Sequence, residues 1–187
     1  NSGSISFTGV IPIAGDQVTS DIAVALRTPT AQAEEIKQKY GCAAAELTKK
    51  GESLEVVRLG GRPPEELSRR VLAEKIELRY VELFDLIKAE ILRNGFENKI
   101  PAGIVLTGGT SKMEGVVPLA ESIFQTSVRL GIPERFSGME SVLKNPIYAT
   151  AVGLLGFGFD QILNLNENQL ETNETYFLKA WGQERQF

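Results

Sequence analysis

The sequence predicts an α/β layered domain with a helix-rich insertion between Thr30 and Lys99. Short apolar or β-branched runs alternate with stretches whose apolar residues recur at helical spacing. Strand-like runs also end in glycine turns that open directly into helices. At 187 residues, 42% hydrophobic and 24% charged, the chain suits one domain or two tightly joined subdomains with a sizeable core.

Taken in order, Ile5–Ile13 reads as a strand because it is rich in β-branched and aromatic residues. "GDQVTSDIAVAL" follows a Gly15-Asp16 turn signal and spaces Val18, Ile22 and Leu26 as one helical face. "TPTAQAEEIKQKYGCA" starts a second helix, with Thr30 as N-cap and Glu34 and Glu35 in the early turns. Leu54–Leu59 is a short strand, and "GGRPPEE" a loop. A long helix runs from Leu67 to about Asn94, its apolar residues including Val71, Leu72, Ile76, Leu83, Ile87 and Ile91, with Asn94-Gly95 as its stop. Ile104–Leu106 is a buried strand, Met113–Phe124 a helix, "SVRLGIP" a strand and "NPIYATAVGLLGFGF" a helix of small residues. The polar stretch 164–175 lacks periodicity and reads as a linker, after which 176–187 turns aromatic again. There are no internal repeats. A strand-like run so close to Asn1, with no Met at the start, leads us to expect a piece of a longer protein.

Composition excludes several functions. A net charge of −4 and a pI near 5.1 argue against nucleic-acid binding, which needs a basic face to neutralise phosphates. No apolar run approaches the roughly 20 residues that span a bilayer. The opening "NSGSISFTG" has neither the basic region nor the apolar core of a secretory signal. Cys42 is the one cysteine, so no internal disulfide forms and a reducing, cytosolic setting is expected. With no histidine in the chain, a Cys–His nucleophile is ruled out and a zinc site nearly so.

The chemistry centres on "IVLTGGTSKMEG", residues 104–115. A strand ending in Gly-Gly lets backbone approach a flat ring or phosphate closely, and the helix start beyond it offers free N–H groups. Its spacing fits neither the P-loop nor the dinucleotide-binding fingerprint. Taken alone, it is equally a tight strand-to-helix turn with no ligand. Two further segments are similar in kind: "IPIAGDQVTSDIA" has another glycine at a strand-to-helix junction, and "AEEIKQKYG" aligns Glu34, Lys37, Gln38 and Gly41 on one helical face.

Together with "LRTPTAQAEEIK", "GGRPPEELSRRVLAE", "RYVELFDLI", "VRLGIP" and "NPIYATAVGLL", these segments resemble, in order from about Ile5 to Gly158, the second half of the actin-like (ribonuclease H-like) ATPases. Within that superfamily they are most similar to the bacterial cell-division FtsA family. The resemblance implies a larger subdomain from 1–29 and 100–163 and a smaller α+β subdomain inserted at 30–99. It implies ATP as ligand, with Gly108 and Gly109 against the adenosine and Thr110 and Met113 flanking them in the same motif. Lys112 would cover the adenine, while Glu34, Lys37 and Gln38 would reach the base and ribose, with Gly15 near the nucleotide. Ala149 and Gly153 fall in the second connecting motif and would be close-packing residues.

The pattern also departs from the superfamily. Its phosphate and Mg²⁺ hairpins have the form D-x-G-x-[TS], whereas aspartate occurs here only at 16, 21, 85 and 160, never in that pattern. The chain is therefore expected to supply the adenosine side of a site and no catalytic residue, since phosphoryl transfer needs metal held against the phosphates.

The resemblance further implies that 30–99 meets the C-terminal tail of FtsZ. Arg62, Arg69, Arg70, Lys75 and Arg79, beside an apolar stripe, suit a short acidic-apolar tail, although an ordinary amphipathic helix has the same pattern. Segment 176–187 corresponds to an amphipathic membrane-targeting helix, with Phe177, Leu178 and Trp181 on one face. Gly182 and a near balance of charge weaken that expectation. The function implied is a division-ring adaptor on the inner face of the cell membrane, self-associating as actin does and contacting other division proteins. An actin-fold phosphotransferase and an MreB-like scaffold are the alternatives.

Overall fold

The computed structural model describes residues 5–133 and 144–162, which fall into two units, 1–131 and 132–187. In the first unit, helix α1 (Gly15–Leu26) buries Val18, Ile22 and Leu26, the face that its spacing predicts. Helix α2 (Thr30–Tyr40) buries Ala33 and Ile36. Its N-cap is Pro29, so Thr30 is the first helical residue rather than the cap. Proline's fixed φ suits that boundary, and a hydroxyl cap is not used.

Strands β1 (Ser53–Val56) and β2 (Glu65–Ser68) form an antiparallel pair, Leu54 opposite Leu67. β2 leads straight into helix α3 (Arg69–Arg93), which buries Leu72, Ala73, Ile76, Tyr80 and Phe84. Asn94 caps α3 and Gly95 takes φ 68°, the left-handed stop read from the sequence.

Strands β3 (Ile104–Leu106) and β4 (Val128–Leu130) pair in parallel, with helix α4 (Val116–Phe124) in the crossover between them. α4 begins three residues later than its sequence suggests. Residues Gly109–Lys112 make a short 3₁₀ turn, and Gly115 at φ 77° sets the helix start. One core joins α1, α2, α3, α4 and both strand pairs, with Ile22, Leu72 and Ile76 almost fully enclosed.

Other expectations fail. Strand β3 is not buried, since Val105 is exposed and Ile104 and Leu106 are half-buried. Residues 5–14 form no strand, because no neighbouring strand among the described residues pairs their backbone groups. The ring of Phe7 instead rests 5.7 Å from that of Phe96. In the second unit a 3₁₀ turn (Pro146–Tyr148) precedes helical residues 149–162. There Gly153 is exposed, and among the described residues a side chain at that position would meet nothing within 4 Å.

Candidate functional site

The Gly-Gly turn leaves the C-terminal end of β3, the end at which parallel α/β sheets carry their ligands. Gly108 has φ 88° and ψ 176°, a backbone region that favours glycine, and a Cβ there would meet nothing within 4 Å. The turn therefore presents open backbone. The hydroxyl of buried Ser111 donates to the Gly108 carbonyl at 2.7 Å and fixes its shape. Thr110 and Lys112 stand exposed on the turn.

Beside it, the start of α1 and the middle of α2 share a polar cluster. The Lys37 ammonium donates to the Gly15 carbonyl at 3.2 Å and to Thr19 Oγ1 at 2.8 Å, and lies 2.6 Å from Glu34 Oε2. All three of its N–H donors are engaged, and its side chain is only 11% exposed. Lys37 thus ties α1 to α2. Glu34 also accepts from Thr19 Oγ1 and, at 2.8 Å, from Gln38 Nε2. Burial pushes its carboxyl up, but the bonds from Lys37, Thr19 and Gln38 outweigh this and hold it at about 2.

Two close approaches join the cluster to the turn. A Cβ on Gly15 would lie 2.8 Å from Thr110 Cγ2, and one on Gly41 only 2.7 Å from Met113 Sδ. Next to Gly41, Cys42 bridges to Glu114, and Ala43 N–H donates to the Glu114 carbonyl at 2.7 Å. From α3, buried Tyr80 donates its hydroxyl to the Thr110 carbonyl at 3.0 Å.

The structure therefore links Gly15, Lys37, Glu34 and Gln38 to Thr110, with Gly108, Gly109, Lys112 and Met113 on the same short segment. Thr19 and Tyr80 escaped the sequence reading. Thr19 lies one turn beyond Gly15 with its Oγ1 3.1 Å from the Gly15 carbonyl, a placement that i, i+4 spacing foreshadows. Nothing local marks Tyr80.

The basic residues do not form one patch. Arg69 pairs with Glu114 and, at 2.9 Å, with Glu52, and its Nε donates to the Tyr40 carbonyl at 3.0 Å. Arg79 grips Asp21 with two bonds of 2.6 and 2.9 Å and also meets Glu82. Both guanidiniums serve the fold. Arg70 is exposed and pairs with Glu74 at 3.3 Å; Lys75 is exposed, and Arg62 lies on the loop before β2. Phe177, Leu178, Trp181 and the linker 164–175 lie outside the described residues.

Comparison with known proteins decides the family. A family model described as cell division protein FtsA matches residues 1–153. The chain belongs to the FtsA family. It is 61% identical over 159 residues to the FtsA of Pseudomonas aeruginosa, covering 85% of this chain and 38% of that protein. With Escherichia coli FtsA it shares 44% over 186 residues, 96% of this chain and 44% of that protein. The chain thus spans about two-fifths of the FtsA relatives it matches.

Among solved structures it is similar to MreB5 of Spiroplasma citri bound to AMPPNP, with TM-score 0.69 and 18% identity over 89% of this chain and 50% of that one. The ADP-bound form gives 0.64 and 17% over 83% and 47%. The fold is an α/β portion of the actin-like fold, as the FtsA motifs imply. Among the described residues no helix is long and apolar enough to cross a membrane.

Proposed function

We propose that this chain is the adenosine-side half of an ATP-binding division adaptor that tethers FtsZ to the inner face of the cytoplasmic membrane and self-associates as actin-like proteins do. The observation that carries the nucleotide reading is the junction of Gly15, Thr110, Lys37 and Glu34, with the open backbone of Gly108 two residues before Thr110. The open face at Gly108 admits a flat ring, exposed Lys112 supplies an alkyl stem and charge to cover it, and exposed Gln38 and the partly exposed Glu34 offer amide and carboxylate groups to ribose or base. Lys37 acts by holding Glu34 in place. The MreB5 structures with AMPPNP and ADP support an adenine nucleotide in this fold. ATP, when bound, would favour the filament-competent state. FtsZ recognition belongs to 30–99, with exposed Arg70 and Lys75 on α3 as its cations, and membrane contact belongs to Phe177, Leu178 and Trp181.

Competition binding tests the nucleotide reading. A fluorescent adenine nucleotide titrated into the chain should bind saturably and be displaced by adenosine nearly as well as by ATP, because this half holds the adenosine end. Displacement by triphosphates of any base but not by adenosine would overturn it. For the partner, a labelled FtsZ C-terminal peptide should bind the parent and bind an Arg70→Glu, Lys75→Glu variant more weakly. Equal binding by both would remove α3 from the docking surface.

A further inference from the structure

Tyr80 is 4% exposed, its ring 6.0 Å from that of Phe84, which packs edge-on at 5.5 Å against Phe124 of α4. Phenylalanine would fill that place without burying a hydroxyl, a group whose removal from water carries a cost of its own. The Tyr80 hydroxyl donates to the Thr110 carbonyl at 3.0 Å, an acceptor that already takes the Met113 N–H at 3.3 Å within the 3₁₀ turn. The turn is therefore closed without Tyr80, and what the phenol adds is a fixed direction for one carbonyl.

From that carbonyl the bonds run to the glycine pair. The Thr110 carbonyl and the Ser111 N–H are the two ends of one planar peptide. That N–H donates to the Gly108 carbonyl at 3.3 Å, and the Ser111 hydroxyl reaches the same oxygen at 2.7 Å. No peptide among the described residues is cis, so with the Gly108 carbonyl held by Ser111 the Gly109 N–H is turned the opposite way, on an exposed residue. Thr110 also carries the methyl that would stand 2.8 Å from a Cβ on Gly15. One peptide thus sets both the backbone at Gly108 and the seat of the turn against α1. The first residue of α3 grips the same segment a second time, where Arg69 pairs with the Glu114 carboxylate.

We infer that Tyr80 is a positioning residue for an adenine nucleotide: through Thr110, its hydroxyl fixes the backbone of Gly108 and Gly109 on which the flat ring rests. This role rests on the nucleotide reading above, and Tyr80 performs it without touching the ligand. Hydrogen bonds in a chain polarise one another, so loss of the first loosens the next. Burial pushes the phenol up to about 12, so the donor keeps its proton throughout the neutral range.

Displacement of a fluorescent ADP by adenosine, measured on the full chain, tests the role. Tyr80→Phe should weaken adenosine about fivefold, the worth of one hydrogen bond. Thr28→Val is the matched control: it deletes another buried hydroxyl, one that donates to the Val57 carbonyl at 2.6 Å, and should leave adenosine affinity unchanged. Para-aminophenylalanine at position 80 keeps an N–H donor on the same ring and should recover most of the loss, which a packing role would not allow. If the parent binds adenosine and Tyr80→Phe binds it equally well, Tyr80 has no such role and the nucleotide reading stands. Equal weakening by Thr28→Val would reduce the effect to general stability and refute the role as well. A parent that binds no adenine nucleotide would sink the nucleotide reading, and the role of Tyr80 with it.

Discussion

Replacing Lys37 by Met removes the ammonium that ties α1 to α2 while keeping most of the side chain's apolar stem. The parent holds that ammonium against the Gly15 carbonyl, Thr19 and Glu34, and the Glu34 carboxyl sits at about 2 instead of its ordinary 4.5. At face value the difference is worth about 3 kcal/mol. The Glu34 side chain is 38% exposed, however, and solvent screening cuts this to about 1 kcal/mol. A depressed carboxyl pKa stabilises the fold fully above pH 4.5, and that contribution fades as pH falls toward 2. The variant should therefore be about 1 kcal/mol less stable at neutral pH, with the gap narrowing in acid as Glu34 protonates in both proteins. Urea unfolding of both, from about pH 7 down to about pH 3, measures the gap. A gap that stays constant or widens in acid would refute the assignment of Lys37 as the partner that holds Glu34 ionised.

Tyr80→Phe deletes one bond to the Thr110 carbonyl and should lower stability by about 1 kcal/mol. Burial pushes the Tyr80 phenol up to about 12, so its contribution is intact below pH 10 and is lost as pH rises toward 12; an ultraviolet titration should lose its last-ionising phenol in the variant. Arg69→Ala, which strips partners from Glu52, Glu114 and the Tyr40 carbonyl, should cost about 2 kcal/mol in chemical denaturation, whereas Arg70→Ala should stay within about 0.5 kcal/mol. Gly41→Ala would force a Cβ to within 2.3 Å of the Lys37 carbonyl and 2.7 Å of Met113 Sδ, and calorimetry should show a loss of about 2–3 kcal/mol.

What was readable in the sequence was local. The faces of α1 and α3 follow from a 3.6-residue period, and the β3 turn follows from adjacent glycines that few other contexts need. What escaped depends on partners far along the chain. "EELS" has little strand character of its own, and β2 exists because Leu67 sits opposite Leu54. Residues 5–13 show the converse, with strand-like composition and no partner among the described residues. Tyr80 reaches Thr110 across 30 positions, and Thr19 reaches Glu34 across 15. Arg69 and Arg79 looked available to a partner because Glu52, Glu114 and Asp21 lie 17, 45 and 58 positions away from them. Helical periodicity shows which face a residue occupies but not which distant carboxylate waits there.

The grip of Arg79 on Asp21 has a consequence for inheritance. Two helices separated by 58 positions share one fork of hydrogen bonds, so neither codon is free to drift alone. Losing the acid strands a half-buried guanidinium, and losing the arginine strands a carboxylate against α3. Reversing both charges together, Asp21→Arg with Arg79→Asp, should restore part of what either single change removes. Across descendants of this gene the two positions are expected to change as a pair or not at all.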